Sequence, residues 1–233
     1  MEDKFFLMTI AISLITISSV AQVKGTFKDT RDGKVYRTVT IGKQVWIAEN
    51  LKYLPSVVGP DSGSREKPFY YVYGYDGTST NAAKATSNFT TYGVLYNWPA
   101  AMNGATSSKA NPSGVQGICP KGWHLPSDDE WTELTDYLGG TSVAGGKLKE
   151  DGTIHWYSPN AGASNSSGFT ALPGGYRFTH GYFDDIGVYG TWWSATEDRS
   201  FEAIKWNAYY KGISLVKIVS DKQAGHCVRC LKD

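Results

Sequence analysis

The chain has 233 residues, 23 of them basic and 22 acidic, for a formal net charge of +1. That balance gives no electrostatic case for nucleic acid or an acidic membrane surface as a partner, and the length suits one large domain, or one domain with an N-terminal extension. Twenty-six glycines and an aromatic content of 14% point to short strands, tight turns and ordered loops around a core filled by large rings.

The first 21 residues read as a secretory signal peptide. An apolar run over 5–17 is followed by small residues, with Ser19 and Ala21 at −3 and −1 and cleavage before Gln22. Glu2 and Asp3 offset Lys4 in an atypical leading segment, and the apolar run is too short to span a bilayer comfortably. No cysteine lies near the cleavage point, so a bacterial lipid anchor is not expected. The domain then covers 22–233, with no stable membrane span after cleavage.

Residues 34–49 predict a hairpin. Val35, Val39 and Ile41 alternate with polar positions, Gly42-Lys43 suits a type II′ turn, and the return strand runs through Trp46. A loop over 55–68 leads to an aromatic strand over 69–75, a polar surface loop over 78–91, a strand over 92–97 and a short helical turn over 99–103 begun by Pro99. The strongest helix start follows a loop over 104–116. Ser127 as N-cap and Glu130 three positions on make a capping box, Asp128 and Asp129 sit in the first turn, and Trp131, Leu134 and Leu138 form an apolar stripe before Gly139-Gly140. This predicts a helix over 128–138. Residues 139–168 read as a long loop anchored by Lys147 to Lys149 and Trp156, and 168–178 as a turn between packed pieces. Strand-like runs follow at 182–196, 201–208, 212–219 and 225–231, so the fold class is α+β. In the Trp192-Trp193 pair the two rings of a strand point to opposite faces, one toward the core and the other not, unless a loop covers it.

Three cysteines, Cys119, Cys227 and Cys230, leave one over after pairing. Strand parity puts Val228 and Cys230 on one face and Cys227 and Arg229 on the other. With Val228 taken as facing the core, the expected bridge is Cys119–Cys230 and Cys227 is a free thiol. A Cys227–Cys230 bond would require residues on opposite faces to meet.

Six blocks in order, I-G-K-Q-V-W-I-A-E-N-L-K-Y (41–53), Y-G-V-L-Y-N-W-P-A-A (92–101), G-I-C-P-K-G-W-H-L-P-S-D-D-E-W (117–131), S-G-F-T-A-L-P-G-G-Y-R (167–177), G-T-W-W-S-A-T (190–196) and V-R-C-L-K (228–232), resemble the Fibrobacter succinogenes major paralogous domain of exported bacterial proteins. That family is similar to the C-type-lectin-like fold in its formylglycine-generating-enzyme (sulfatase-modifying-factor) branch. The resemblance implies N- and C-terminal strands paired together, a loop-rich middle and the Cys119–Cys230 bridge. Cys227 departs from the family, which more often has Ser there. The formylglycine-generating enzymes hold copper with a pair of C-terminal cysteines. Cys227 and Cys230 have shorter spacing and opposite facing, so no catalytic role is carried over.

The Cys227 to Cys230 spacing could also mark a redox pair or, with His226, half of a zinc site, but no helix follows it and no second ligand pair has suitable spacing. His124 reads as a satisfied structural histidine rather than a base. Asp184-Asp185 and Glu197-Asp198 could bind calcium or act as acid and base, although neighbouring loop carboxylates are ordinarily just solvated. The calcium-dependent sugar motifs of lectins are absent. No cofactor or metal is implied. The expected function is therefore an exported, non-enzymatic binding module, secreted or on a bacterial cell surface, recognising a glycan or extracellular protein. The candidate ligand surface is Trp156, Tyr176, Arg177, Tyr182, Asp184, Tyr189, Trp192 and Tyr209. An oxidase or metal-site enzyme using the C-terminal cysteines and a structural subunit of a surface appendage are the alternatives.

Overall fold

The structure is a computed structural model describing residues 23–233; the expected signal peptide lies outside the described residues. Strand β1 (Lys24–Lys28) pairs with β2 (Val35–Ile41), which turns through Gly42, at φ +61°, into β3 (Gln44–Ile47). The predicted aromatic strand shrinks to β4 (Tyr70–Tyr71), because the chain turns at Val72 to Tyr75 with Gly74 at φ +74°. The polar stretch read as a loop holds two short helices, α1 (Thr80–Lys84) and α2 (Ser87–Tyr92), started by the side chains of Ser79 and Thr86. Next come β5 (Leu95–Tyr96), α3 (Trp98–Met102), capped by Asn97 with proline in its first turn, and β6 (Trp123–His124). Helix α4 (Asp128–Tyr137) has both halves of its capping box: Glu130 N–H donates to Ser127 Oγ at 3.2 Å and Ser127 N–H to Glu130 Oε2 at 2.9 Å.

The expected long loop after α4 contains a helix, α5 (Thr141–Leu148). Gly145 and Gly146 signal a loop in the sequence, yet here they permit close approach. A Cβ on Gly145 would lie 2.2 Å from the Ser214 carbonyl oxygen, and one on Gly146 would lie 2.5 Å from that of Gly162. The remaining strands are β7 (Gly174–Arg177), β8 (Phe183–Ile186), β9 (Tyr189–Arg199), β10 (Glu202–Tyr209), β11 (Leu215–Asp221) and β12 (Leu231–Lys232). Only the end of the predicted 225–231 strand is regular.

The largest sheet has the order β1-β2-β3-β12-β6, so the chain's last strand lies inside the N-terminal sheet. A three-stranded sheet, β11-β10-β9, and two hairpin-sized sheets, β4-β5 and β7-β8, complete an α+β plan of small antiparallel sheets. Among the described residues no helix is long and apolar enough to cross a membrane.

Two apolar clusters hold these sheets together. One gathers Tyr36, Ile47, Trp123, Trp193, Val228 and Cys230; the other gathers Trp46, Trp131, Phe169, Trp192, Trp206 and Cys227. Residues 227–230 therefore run between two cores, and parity sends their side chains alternately into each. The Cys119–Cys230 disulfide lies in the first core, with a Cα–Cα distance of 5.9 Å. Trp192 and Trp193 are both fully buried, because the covering segment that the sequence reading allowed for is present. They do face opposite ways, but residues 225–228 lie against β9 and His226 covers Trp193 with ring centroids 4.5 Å apart.

Buried cations fasten the long loops. Lys149 Nζ donates to the carbonyls of Ala161, Tyr209 and Gly212 at 2.9–3.1 Å, and Arg177 to those of Pro60 and Gln223. Arg229 donates to Asn50 Oδ1 and to the carbonyls of Ile47, Phe169 and Thr170. Carbonyl dipoles converging on one buried charge satisfy both sides, which lets irregular backbone be packed inside.

Candidate ligand-binding cleft

The alternation of β10 builds the site. Ile204, Trp206 and Ala208 enter the second core, so Lys205 and Asn207 project from the other face of the three-stranded sheet. Register places Lys205 between Trp193 and Ile218, and Asn207 between Thr191 and Val216. The β7-β8 hairpin and the segment around His226 wall this face, leaving a cleft of about 460 Å³ lined by Tyr176, Asp185, Tyr189, Lys205, Asn207 and His226, among others. The hairpin is sharply shaped. Gly175 at φ +62° and Asp185 at φ +60° are both left-handed, a conformation aspartate tolerates better than most side chains.

Lys205 is only 8% exposed and has no hydrogen bond or ion pair among the described residues; its Nζ lies 5.5 Å from the centre of the Tyr176 ring. Burial pushes its pKa down to about 8, with the Asp185 charge opposing. Burial and then the hydrogen bond to the Asp185 carboxylate hold the Tyr176 hydroxyl well above its ordinary value, so it stays protonated. Asn207 Oδ1 is buried with no partner. The rim carboxylates are already paired, Asp221 with Arg65 and Glu202 with Arg199 at 3.4 Å.

His226 lies between the Thr191 and Ser220 hydroxyls, each 2.9 Å from a ring nitrogen. Thr191 gives its own proton to the Gly175 carbonyl at 3.1 Å. The imidazole Nδ1–H therefore donates to Thr191, and Nε2 accepts from Ser220. Burial, then the Lys205 charge, keeps the His226 pKa well below its ordinary value. The Ser220–His226 contact has the reach of an activated nucleophile, but a neutral threonine stands where a carboxylate would steady an imidazolium, and Lys205 opposes that charge. The ring serves as a neutral, fixed wall.

The sequence-predicted surface residues divide. Tyr176 and Tyr189 line the cleft, and Tyr209 stacks on Tyr189 at 4.8 Å. Tyr182 is exposed and stacks at 5.2 Å on Phe178, itself a cleft residue, while exposed Asp184 accepts the Asp185 N–H. Trp156, Arg177 and Trp192 leave the candidate surface, because all three are at most 1% exposed. Trp156 donates to the Ala171 carbonyl, Trp192 to Asn50 Oδ1, and Arg177 fastens the 60–63 loop. Lys205, Asn207 and Ser220 were missed, and His226 was weighed only as a zinc ligand beside the cysteines. The available signal was the period-two polarity of A-I-K-W-N-A, which marks one face of β10 as polar.

The cysteines and His124 lie elsewhere. Cys230 is bonded to Cys119, so the C-x-x-C is not a thiol pair. Cys227 is 1% exposed and accepts the Asn50 amide N–H at 3.2 Å. Burial pushes its thiol up to about 12, against the Arg229 charge, so it stays protonated at neutral pH. The native protein is expected to resist thiol reagents and to label once per chain, at Cys227, on unfolding without reductant. Rapid labelling of the native state would contradict this burial. His124 is buried between Glu130 and Asp233, 2.8 Å from each, and these hydrogen bonds outweigh burial and raise its pKa. Among the described residues no group of three or more His, Cys, Asp or Glu is placed to hold a metal ion.

The sequence-family model of the Fibrobacter succinogenes major domain matches residues 39–232. The chain belongs to this family. Comparisons with curated proteins and with solved structures find no match. In this major domain the matched span runs from within β2 to β12. It takes in the cleft, both bonded cysteines and the three carbonyl-caged cations, and leaves out β1.

Proposed function

We propose that the domain is an exported, non-enzymatic binding module on a C-type-lectin-like scaffold, and that its cleft takes a glycan or a segment of an extracellular protein. The observation that carries this reading is the cleft itself, which sets tyrosine rings beside polar groups left without protein partners. Rings offer stacking area at low entropic cost, and unpaired buried polar atoms gain most from a ligand's hydroxyl or amide groups. The lectin-like reading is supported by a C-terminal strand held within the N-terminal sheet and by the loop-rich half after α4. A disulfide closing a long loop suits an oxidising, extracytoplasmic compartment.

A panel of oligosaccharides and extended peptides, screened by calorimetry, tests the proposal. Tyr189→Ala is expected to weaken the best binder by about 2 kcal/mol, roughly 30-fold, as loss of a central ring does, while the thermal midpoint stays close to wild type. Absence of binding across the panel at millimolar concentration, or a Tyr189→Ala variant that binds as tightly as wild type, overturns it.

A further inference from the structure

Six lysine and arginine side chains are buried among the described residues: Lys52, Lys149, Arg177, Lys205, Lys222 and Arg229. Five are hydrogen-bonded to protein oxygens. Lys52 donates to the Thr90 carbonyl, Lys222 to Glu197 and the Ser200 carbonyl, and Lys149, Arg177 and Arg229 to the cages described above. Lys205 alone has no such bond, and it is the one that opens on the cleft. A buried ammonium without acceptors is costly, and the rest of this fold shows how readily the chain supplies carbonyls where a cation is structural. On β10, in contrast, the neighbouring carbonyls are used in the ladders to β9 and β11.

Resting on the reading of the cleft as a ligand site, we propose that Lys205 receives a singly charged oxyanion, a carboxylate or sulfate ester, carried by an acidic saccharide. The single charge follows from the surroundings. Lys205 is the one cation lining the cleft, and the Asp185, Glu202 and Asp221 carboxylates line it too, the last two already paired with Arg199 and Arg65, so one ligand charge is the most that Lys205 can offset and a dianion meets repulsion. The saccharide follows from the other groups. Asn207 Oδ1 and the Asp185 carboxylate accept hydrogen bonds, which ring hydroxyls donate, and Tyr176 and Tyr189 supply aromatic surface along the cleft.

The test compares matched gluco- and glucurono-oligosaccharides, and a 6-sulfated counterpart, on wild type and Lys205→Met. The acidic sugars are expected to bind wild type at least tenfold more tightly than the neutral one, and Lys205→Met is expected to erase that preference. Retention of the folded state in Lys205→Met is checked by its thermal midpoint. A second measurement follows the Lys205 side-chain amine by NMR during pH titration, with and without sodium glucuronate and sodium acetate. Bound oxyanion is expected to move its titration up toward the ordinary lysine range. Equal binding of neutral and acidic sugars, unchanged by Lys205→Met, overturns the oxyanion proposal and leaves the binding-module reading standing. An acetate-driven shift with no sugar bound keeps Lys205 as an oxyanion site and overturns the saccharide. No shift with any anion and no preference for acidic sugar overturns the proposal entirely.

Discussion

Replacing the Cys119–Cys230 bridge with a double alanine variant is expected to lower stability by about 4–5 kcal/mol. The bond spans a separation of 111 residues, and in the chain-entropy model a loop of that size gives a loss of this order. The native fold has other reasons to keep the joined pieces in place. Leu231 pairs with both Trp46 and His124, and Ile118 N–H donates to the Ala101 carbonyl. Gly117, at φ +55°, lets the cysteine turn approach α3 closely, since a Cβ there would lie 2.4 Å from the Ala101 oxygen. The variant should therefore fold to the same structure and differ chiefly through its less constrained unfolded state. Guanidinium unfolding of the variant and the oxidised wild type measures the difference. A loss below about 1 kcal/mol would show that the unfolded chain is little restrained by the bond.

What could be read from the sequence was what depends on near neighbours. The α4 start was legible because the capping box, the acidic first turn and the tryptophan–leucine stripe all lie within twelve residues. The β2-β3 hairpin was legible because Gly42 separates two alternating runs. Cysteine parity was legible because it needs only the period of a strand. The misses are residues whose role is set from far along the chain. Gly145 and Gly146 look like loop glycines until Ile213, Ser214 and Gly162 are seen pressing on α5. α1 and α2 lack an apolar stripe, so only Ser79 and Thr86 marked their starts. Trp193 is covered by His226, 33 positions later. Lys205 shows its alternation locally, but nothing near it says that a hairpin beginning at residue 174 encloses that face while giving it no acceptor. Trp156 and Trp192 were assigned to the surface because aromatic residues in a loop-rich half look available; the second core absorbs them.

Arg229→Met is expected to destabilise the fold by about 3–5 kcal/mol, because several acceptors inside the fold lose their donor at about 1–3 kcal/mol each. Arg229 is fully buried, over the Phe169 ring at 4.3 Å, and its donors join the end of β3, the 169–170 turn and Asn50. Asn50 extends the connection. Its Oδ1 also accepts the Trp192 indole N–H at 2.9 Å, and its amide donates to the Tyr92 carbonyl and Cys227 Sγ. Methionine fills similar volume but donates no hydrogen bond, so the buried Ile47 and Phe169 carbonyls lose a donor. Arg229→Lys is expected to recover little, since an ammonium is a point charge and cannot reach four acceptors from the geometry of a planar fork. The informative control is Lys205→Met, which removes a buried cation with no hydrogen bonds and is expected to be neutral or stabilising. Urea unfolding of the three variants separates two explanations. If both methionine variants lose stability equally, burial of any cation matters here and the carbonyl cage does not. If Arg229→Met alone falls, the cage is what holds the irregular half of the domain against its two cores.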